Sequence, residues 1–418
     1  MTWKNISYWL KPGIRVKRYL AVAAAGFALA LLGAGLLGKG LAGPAGSFWP
    51  LLAGGLMVLL GLLLAVLGVR WMNRSILTTL LGDPDKVPEL VFQKRRLAQG
   101  PRIVAMGGGT GLSRLLYGLK GVTSNTTAVV ATTDDGGSTG RLRRVFDIPA
   151  VGDLVDCLAA LSEAPRAPEL MQYRFTRGDE LKGHTFGNLF LVTLHELTGS
   201  FAEALRSANR MLALLGWVWP SAVEPAVLVA ELEDGRRVRG ETAIRHAGGR
   251  VRRLSLEPSR PAVMPEVLRA LRQAELIVLG PGSLYTSVIA SFLPQAVRRA
   301  VQESPAPLVQ VVNIMTEPGE TDGMDAFAHV EAVATHLGRW PDVVLVHTGP
   351  LSGEVQRRYA AEGQFPVAYD PRPFQARGIR VVAGDFSQPG ELAQHDPGKL
   401  MQAILSLHAE SRPGPVPV

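Results

Sequence analysis

Five short apolar runs, each ending in a loop of glycine or polar residues, constrain the fold of residues 101–408 more than any other feature. The runs and their loops read RIVAMGGGTG, TAVVATTDDGG, ELIVLGPGS, LVQVVNIMTEPGE and VVLVHTGPLSG. Buried runs of this length that alternate with helical segments predict an α/β fold with a mostly parallel sheet and helices on both faces. Because ligands of such sheets bind beyond the carboxyl ends of the strands, we expect these loops to share one site.

One stretch departs from this alternation. Residues 226–244 (AVLVAELEDGRRVRGETAI) place two β-prone runs around Glu-Asp-Gly, which is a hairpin signal, and RVRRLSLEP adds a third run. We therefore expect a small antiparallel β insertion. Its arginines are expected to form a solvated face, with a basic patch for a partner or anionic lipid as the alternative: Arg236, Arg237, Arg239, Arg250, Arg252 and Arg253.

Two uncharged segments, residues 19–38 and 48–69, are each long enough for a helix that crosses a bilayer. We expect a transmembrane helical hairpin over residues 19–72, between a cytoplasmic N-terminal segment (1–18) and a linker (73–100). Basic residues flank both outer ends, and the positive-inside rule then predicts a two-span cell-membrane protein with both termini in the cytoplasm. A signal peptide is the alternative, which the second span and its basic flank disfavour.

Small residues recur four apart in the first span, at Gly26, Ala30, Ala34 and Gly38. Such a stripe predicts a packing face for the second helix or a neighbour, although a Gly/Ala-rich span also produces one by chance. The main domain is expected over residues 101–410, and the Pro-rich tail 411–418 is expected to be disordered.

The net charge of +8 belongs to the N-terminal segment. Residues 1–100 carry twelve Lys and Arg against three Asp and Glu, whereas residues 101–418 carry 32 against 33. A nucleic-acid-binding domain needs a basic face or stripe, so the composition predicts no nucleic-acid partner. A single cysteine, Cys157, rules out an internal disulfide and suits a reducing compartment.

The first loop contains four glycines and a threonine: Gly107, Gly108, Gly109, Thr110 and Gly111. Glycines at a strand-to-helix turn let backbone N–H groups approach a phosphate, which the N-terminus of the helix also attracts. The dinucleotide fingerprint would need glycine at Leu112, and no Gly-Lys-Ser/Thr follows as in a Walker loop. The loop therefore predicts a phosphate or nucleotide but neither NAD nor an ATPase, and a tight turn without a ligand is the alternative.

The second loop begins with two acids, Asp134 and Asp135, at the end of the second strand. Nucleotide-binding α/β folds often keep an acid there for ribose hydroxyls, and an acid also holds Mg²⁺ through a phosphate. At least one of the pair is expected to be only a cap or turn residue. The loop continues with Gly137 and Ser138. If the next segment is helical, Arg141 and Arg144 share a face that could clamp a phosphate, and Arg143 points to solvent.

Three further loops complete the candidate site. In KGHTFGNLFL, His184 and Asn188 lie four apart at a helix start, where a ligand contact and a simple cap are equally good interpretations. GPGSLYTS forms a second candidate anion site with Gly280, Gly282 and Ser283. NIMTEPGETDG supplies Asn313, Thr316, Glu320 and Thr321. Neither a zinc-ligand spacing nor a serine nucleophile elbow is evident in the sequence.

Five motifs in this order, GGGTGLSRLLYGLK, DDGGSTGRLR, GHTFGNL, GPGSLYTSV and NIMTEPGETDG, resemble the YvcK group of the CofD/YvcK family, whose members are often called gluconeogenesis factors. The resemblance implies a Rossmann-like fold that binds UDP-sugars, notably UDP-N-acetylglucosamine. It also implies kinship with 2-phospho-L-lactate transferase, which uses a nucleotide-activated substrate and Mg²⁺. Two features depart from the group: the membrane hairpin, and Val155-Asp156 where the group usually has Arg-Asn.

Together these observations predict a membrane-tethered, cytoplasm-facing protein that binds a nucleotide sugar, and the resemblance implies that it regulates carbon metabolism, cell shape and wall precursor supply. The alternative is a Mg²⁺-dependent transferase similar to the phospholactate enzyme, with Asp134, Asp135 or His184 as catalytic candidates and Asp134 or Asp135 as the metal ligand. No cofactor other than Mg²⁺ is a candidate. Candidate partners are a UDP-sugar, the membrane through residues 19–72, a second copy of the chain, and cell-envelope or metabolic proteins.

Overall fold

The computed structural model describes residues 16–42, 48–81 and 87–411, which form two compact units, Met1–Arg95 and Arg96–Val418. Residues 1–15 and 412–418 lie outside the described residues, and with them most of the predicted cytoplasmic segment and of the predicted disordered tail. The two units are described separately below.

The first unit contains two long helices, α1 (Val16–Ala42) and α2 (Phe48–Leu81), and most of a third, α3 (Val87–Ala98). Both long helices extend beyond the apolar runs that predict them, and α2 and α3 take up much of the predicted linker. The segments Val16–Ala42 and Phe48–Ile76 are long and apolar enough to cross a membrane.

Glycines spaced seven apart bring α1 and α2 into close contact. A Cβ atom on Gly26 would lie 2.5 Å from the backbone nitrogen of Ala65 and 2.6 Å from the carbonyl oxygen of Gly61. Gly33 and Gly54 approach each other in the same way one heptad along, with 2.8 Å between a Cβ on either residue and the carbonyl oxygen of the other. A period of seven keeps one seam of each helix facing the other, and small residues let the two backbones meet.

Of the predicted stripe of small residues, Gly26 and the backbone of Ala30 contact α2, whereas Gly38 does not. A Cβ on Gly38 would have no heavy atom within 4 Å. The stripe assumed a spacing of four along one face, whereas the observed contact follows the heptad from Gly26 to Gly33. A single helix sequence does not distinguish these spacings, because the facing helix selects the seam.

We expect Gly61→Leu to separate α1 from α2, because its side chain would meet the backbone of Ala30 at 2.5 Å. Gly55→Leu is the matched control on the same helix, since nothing lies within 4 Å of its Cβ position. Spin labels on cysteines placed at Leu31 and Leu60, which are both exposed, report the separation by pulsed EPR, and the buried Cys157 stays unlabelled. Equal distances in the two variants would contradict the seam.

The second unit is built on a seven-stranded sheet in which all neighbouring strands are parallel, in the order β10-β9-β8-β7-β1-β2-β3. Its strands are β1 Ile103–Gly107, β2 Thr126–Val130, β3 Trp217–Pro220, β7 Leu276–Leu279, β8 Leu308–Val311, β9 Val343–His347 and β10 Arg380–Gly384. Strands β1, β2, β7, β8 and β9 are buried throughout, which is typical of a parallel sheet covered on both faces. The predicted Rossmann-like α/β fold is confirmed.

Helices connect these strands. In chain order they are α4 Gly109–Leu119, α5 Gly137–Phe146, α6 Gly152–Leu161, α7 Ala167–Gln172, α8 Phe186–Thr198, α9 Phe201–Met211, α10 Glu241–His246, α11 Pro265–Gln273, α12 Ala290–Phe292, α13 Gln295–Glu303, α14 Ala326–Leu337, α15 Gly353–Ala361, α16 Arg372–Ala376 and α17 Pro397–Ser411. A π-helical segment, Leu284–Ile289, precedes α12.

The predicted antiparallel insertion is also confirmed. Strands β4 (Val227–Leu232), β5 (Arg237–Arg239) and β6 (Val251–Glu257) form a three-stranded sheet in the order β5-β4-β6. Its arginines are exposed and several are paired with acids nearby: Arg237 and Arg239 lie 2.7 Å and 2.8 Å from Glu257. The pairing favours the solvated face over a basic patch.

Candidate functional site

The order of the strands locates the site. From β1 the chain proceeds to β2 and β3 on one side, and later strands continue from β7 on the other side. The junction of β1 and β7 is therefore the topological switch point, where ligands of open α/β sheets bind beyond the carboxyl ends of the strands. The two glycine loops follow these two strands and contact each other, since a Cβ on Gly111 would meet the carbonyl oxygen of Pro281.

A cleft of about 610 Å³ opens at this point. The residues that the sequence predicts and the cleft brings together are Gly108, Gly109, Thr110, Gly111, Asp134, Gly282, Ser283, Asn313, Thr316 and Glu320. Residues that the sequence did not single out form the rest of the wall, among them Arg114, Asp153, Glu241, Arg245, Glu317, Tyr359, Gln364, Gln394 and His395. The remaining predicted residues are not part of this wall: Gly107, Asp135, Gly137, Ser138, Arg141, His184, Asn188, Gly280 and Thr321.

The first glycine loop leads into α4, which begins after Gly108 without a side-chain cap. One of its first amides, the N–H of Gly109, is bonded to Asp153 near the start of α6, and a Cβ on Gly108 would meet the same carboxylate. Burial raises the pKa of Asp153 to about 7, and the charges of Asp156 and Asp134 act in the same direction. The only sequence signal for this role is the position of Asp153 just after the start of a helix.

Asp134 and Asp135 have different roles. Asp134 lines the cleft, and its Oδ1 accepts the N–H of Gly136 at 2.9 Å. Asp135 turns away, and its Oδ1 accepts the backbone N–H of Thr242 at 3.0 Å and the Thr242 hydroxyl at 2.6 Å. Since Thr242 lies in the first turn of α10, Asp135 fixes the helix that brings Glu241 and Arg245 to the cleft. Asp135 is therefore the structural member of the pair.

Side chains of the protein itself accept the backbone N–H groups of the second glycine loop and of the helical segment that follows it. Glu320 accepts the N–H groups of Tyr285 at 3.1 Å and Thr286 at 3.4 Å, and the Thr286 hydroxyl at 2.7 Å. Asn313 accepts the N–H of Gly282 at 3.3 Å. The start of this helical segment, predicted as an anion site, is thus filled by the buried carboxylate of Glu320.

Glu317 and the threonines of the same loop stabilise this arrangement. Glu317 accepts the Ser283 hydroxyl at 2.6 Å and the Asn313 amide at 3.0 Å. Burial and the neighbouring Glu320 raise the pKa of Glu317 to about 7. Thr321 accepts the N–H of Glu317 at 2.8 Å, and Thr316 accepts the N–H of Phe365 at 2.9 Å, so both hydroxyls hold the loop.

The cleft is rich in carboxyl groups. Five of them line it, from Asp134, Asp153, Glu241, Glu317 and Glu320, against two arginines, Arg114 and Arg245. Burial, followed by the charge of Asp134, raises the pKa of Glu241 to about 9. Glu241 is therefore mostly protonated at neutral pH. Among the described residues, no three acidic, histidine or cysteine side chains are arranged to hold a metal ion.

His184, Ser138 and Asn188 form a separate buried network. The Ser138 hydroxyl lies 2.7 Å from His184 Nδ1, and Asn188 donates to that hydroxyl at 3.1 Å. Burial lowers the pKa of His184, and Arg141 and Arg174 add to this effect. The network ties α5 to α8. The cap that opens α8 is Thr185, whose hydroxyl accepts the N–H of Asn188 at 3.3 Å.

One arginine of α5 does not lie where the sequence predicts. Arg143, expected in solvent, is partly buried and donates to the carbonyl oxygens of Thr133 at 3.1 Å, Asp134 at 3.3 Å and Ala226. It thereby holds the acidic loop against the β insertion. Arg141 donates to the carbonyl oxygen of Lys182 at 3.1 Å and lies outside the cleft wall.

The replacement of Arg-Asn by Val155-Asp156 does not touch the cleft wall. Val155 is buried and would meet a Cβ on Gly187 of α8. Asp156 accepts from the Gln172 amide at 2.6 Å. Both side chains serve the packing of α6 against α7 and α8, and neither lines the cleft.

The sequence of this domain matches the profile of a known family. The family is described as 2-phospho-L-lactate transferase CofD, and its profile matches residues 103–387. The chain belongs to the CofD family. Among CofD-family relatives, the gluconeogenesis factor of Bacillus subtilis is 39% identical over 75% of this chain and 100% of its own length. The predicted resemblance to the gluconeogenesis-factor (YvcK) group is thereby confirmed.

A solved structure of this CofD-family type supports the fold. The crystal structure of a Bacillus halodurans protein is 40% identical, with a TM-score of 0.71, and covers 73% of this chain and 100% of that protein. A relative from Deinococcus radiodurans is 43% identical over 96% of this chain and 89% of its own. The alignment with the Deinococcus protein therefore includes most of residues 1–100, which the shorter relatives leave unmatched.

Proposed function

We propose that this gluconeogenesis-factor-type protein is a membrane-tethered, cytoplasm-facing regulator that binds a nucleotide sugar of the UDP-N-acetylglucosamine type. Carbon metabolism, cell shape and cell-wall precursor supply are the processes it would regulate. One observation carries the proposal: the glycine-rich start of α4, whose N-cap residue Gly108 supplies no side-chain cap, and the carboxylate of Asp134 share a single cleft at the switch point. This is the arrangement that nucleotide-binding α/β folds use for a phosphate and a ribose.

The residues of the cleft suggest where each part of the ligand would lie. The diphosphate would lie at the start of α4, and Asp134 would accept hydroxyl groups of the nucleoside. A volume of about 610 Å³ is in the range of small-ligand sites and leaves space for a sugar beside Gln364 and Gln394. The Ser138–His184–Asn188 network would support the acidic loop from behind. In this assignment none of its three side chains contacts the ligand.

Membrane tethering is supported by the surface of α1 and α2. Only 11% and 17% of their most apolar windows are buried, whereas the core helix of a globular domain is mostly buried. Large apolar side chains such as Phe27, Leu32 and Leu59 are more than half exposed, which is costly in water and favourable in lipid. The basic residues at both outer ends favour cytoplasmic termini.

The proposal predicts that the full-length protein in detergent binds UDP-N-acetylglucosamine in isothermal titration calorimetry. We expect saturable heat with one ligand per chain, because one cleft lies at the switch point. CDP-activated sugars, which keep the diphosphate, are the matched control for the base, and the detergent buffer alone is the blank. Absence of heat at millimolar UDP-N-acetylglucosamine would overturn the proposed ligand.

A transferase similar to the 2-phospho-L-lactate enzyme is the second candidate, because the matching family profile carries that description. Of the three catalytic candidates, Asp134 alone lines the cleft. Mg²⁺ would then be held by one or two carboxylates and by phosphate oxygens, as is usual for this ion. Turnover of nucleotide-activated phospholactate that is lost in Asp134→Ala would favour this candidate, and absence of turnover in the wild type would remove it.

A further inference from the structure

The two arginines of the cleft differ in whether a carboxylate neutralises them. Arg245 Nε lies 3.2 Å from Glu320, and its Nη2 lies 4.0 Å from Glu241 and 3.2 Å from the Ser283 hydroxyl. The charge of Arg245 is therefore offset by two acids. It serves to hold the acidic side of the cleft together.

Arg114 has no such counter-charge among the described residues. Its Nη1 donates to a neutral group, the side-chain oxygen of Gln388, at 2.8 Å, and its Nε is buried without a hydrogen-bond partner. Arg114 is only partly buried, but its buried Nε has no acceptor, and a polar group left in this state costs free energy that an anionic ligand would recover.

Arg114 also lies in a suitable place. It is on α4, one helical turn beyond Gly111 and on the helix whose uncapped start faces the cleft. The amides of that start that follow Gly109, whose own N–H is bonded to Asp153, and the guanidinium can therefore contact one group together. The competing position, the start of the segment Leu284–Ile289, already holds the carboxylate of Glu320.

We propose that Arg114 binds the phosphate of the ligand and thereby sets its direction in the cleft. The anionic group lies against α4 and Arg114, and the hydroxyl-rich nucleoside extends towards Asp134 and Glu241, whose carboxyl groups accept from hydroxyls. This assignment rests on the proposed function in taking the ligand to be a nucleotide diphosphate. Recognition of the anion itself depends only on the geometry around Arg114.

The test uses full-length protein in detergent and three probes: UDP-N-acetylglucosamine, UDP and inorganic pyrophosphate. We expect Arg114→Gln to weaken the binding of each probe about 10- to 100-fold, the usual effect of losing a charge-assisted hydrogen bond. Arg114→Lys keeps the charge and should recover part of the loss. Arg299→Gln, which removes an exposed arginine paired with Glu303 on α13, should bind as the wild type does.

Arg141→Gln tests the rival phosphate site on α5. A loss in this variant equal to that in Arg114→Gln, or wild-type affinity in a folded Arg114→Gln protein, would overturn the assignment. Thermal unfolding of each variant verifies folding. Pyrophosphate separates the two proposals: binding of pyrophosphate without either nucleotide supports the Arg114 anion site alone, and binding of no probe overturns both.

Discussion

Glu320→Ala is expected to lower the free energy of unfolding of the second unit by about 3–5 kcal/mol, because each buried donor that loses its acceptor costs about 1–3 kcal/mol. The carboxylate is buried and accepts from Tyr285, from Thr286 and from Arg245 at 3.2 Å. Its removal leaves two amides, a hydroxyl and a guanidinium without their acceptor. Chemical denaturation of the full-length protein, followed by tryptophan fluorescence, measures the change.

The matched control is Glu303→Ala on α13. Its carboxylate also pairs with an arginine, Arg299, at 2.7 Å, but both side chains are mostly exposed. An exposed pair contributes about 0–1 kcal/mol, so this variant should unfold almost as the wild type does. If Glu320→Ala were no more destabilising than Glu303→Ala, Glu320 would not be the residue that holds the second glycine loop.

The architecture was predictable from sequence because each strand carries its own signal. Runs such as Ile103–Gly107 and Leu276–Leu279 are apolar over their whole length, and they are buried on both faces. The Glu-Asp-Gly turn likewise predicted the β4–β5 hairpin. These patterns depend on neighbouring residues, so no knowledge of the partner strands is needed to recognise them.

Half of the cleft wall was not predictable in this way. Glu241 and Arg245 reach the cleft because Asp135, more than a hundred residues earlier, fixes Thr242. Asp153 reaches Gly109 from another helix. Such contacts depend on how distant segments pack. The sequence identifies the acids and glycines but does not tell which acid will occupy which set of amides.

Dependence on distant segments also explains why the sequence did not show what occupies the amides of the second glycine loop. GPGSLYTS has the composition of an anion-binding site, and in the structure its backbone amides do bind an anion, which is the carboxylate of Glu320. A glycine-rich turn predicts that backbone amides are accessible. Whether a ligand or a side chain fills them is decided by the loop after β8, which also supplies Glu317 and Asn313.

Ligand affinity is expected to fall steeply as the pH rises from 6 to 8. Burial raises the pKa values of both Asp153 and Glu317 to about 7. The charges of Asp156 and Asp134 add to this effect at Asp153, and the charge of Glu320 adds to it at Glu317. Both groups are mostly neutral at pH 6 and mostly charged at pH 8. Each new charge opposes a diphosphate in the same cleft, and an interaction worth one pKa unit is tenfold in affinity.

The sign of this effect follows from proton binding. A carboxyl group whose pKa is higher in the folded than in the unfolded state binds more protons in the folded state at intermediate pH. Its contribution to the free energy of unfolding is therefore present at low pH and is lost as the pH rises through the folded-state pKa, which is about 7 for Asp153. A bound diphosphate raises the same pKa values further. Binding should therefore take up protons, and the heat measured at pH 7 should differ between buffers of different ionisation enthalpy.

Titrations with UDP-N-acetylglucosamine at pH 6, 7 and 8 measure the profile, with a loss of about tenfold or more expected across this range. Asp153→Asn keeps an oxygen that can accept the N–H of Gly109 but cannot ionise, so it should flatten the profile without abolishing binding. Asp370→Asn is the control, because the exposed Asp370 pairs with Arg372 at 2.7 Å and Arg372 lowers its pKa. An affinity that is constant or rises from pH 6 to 8 would show that these carboxyl groups do not face the ligand's phosphates. The nucleotide would then have to lie elsewhere in the cleft.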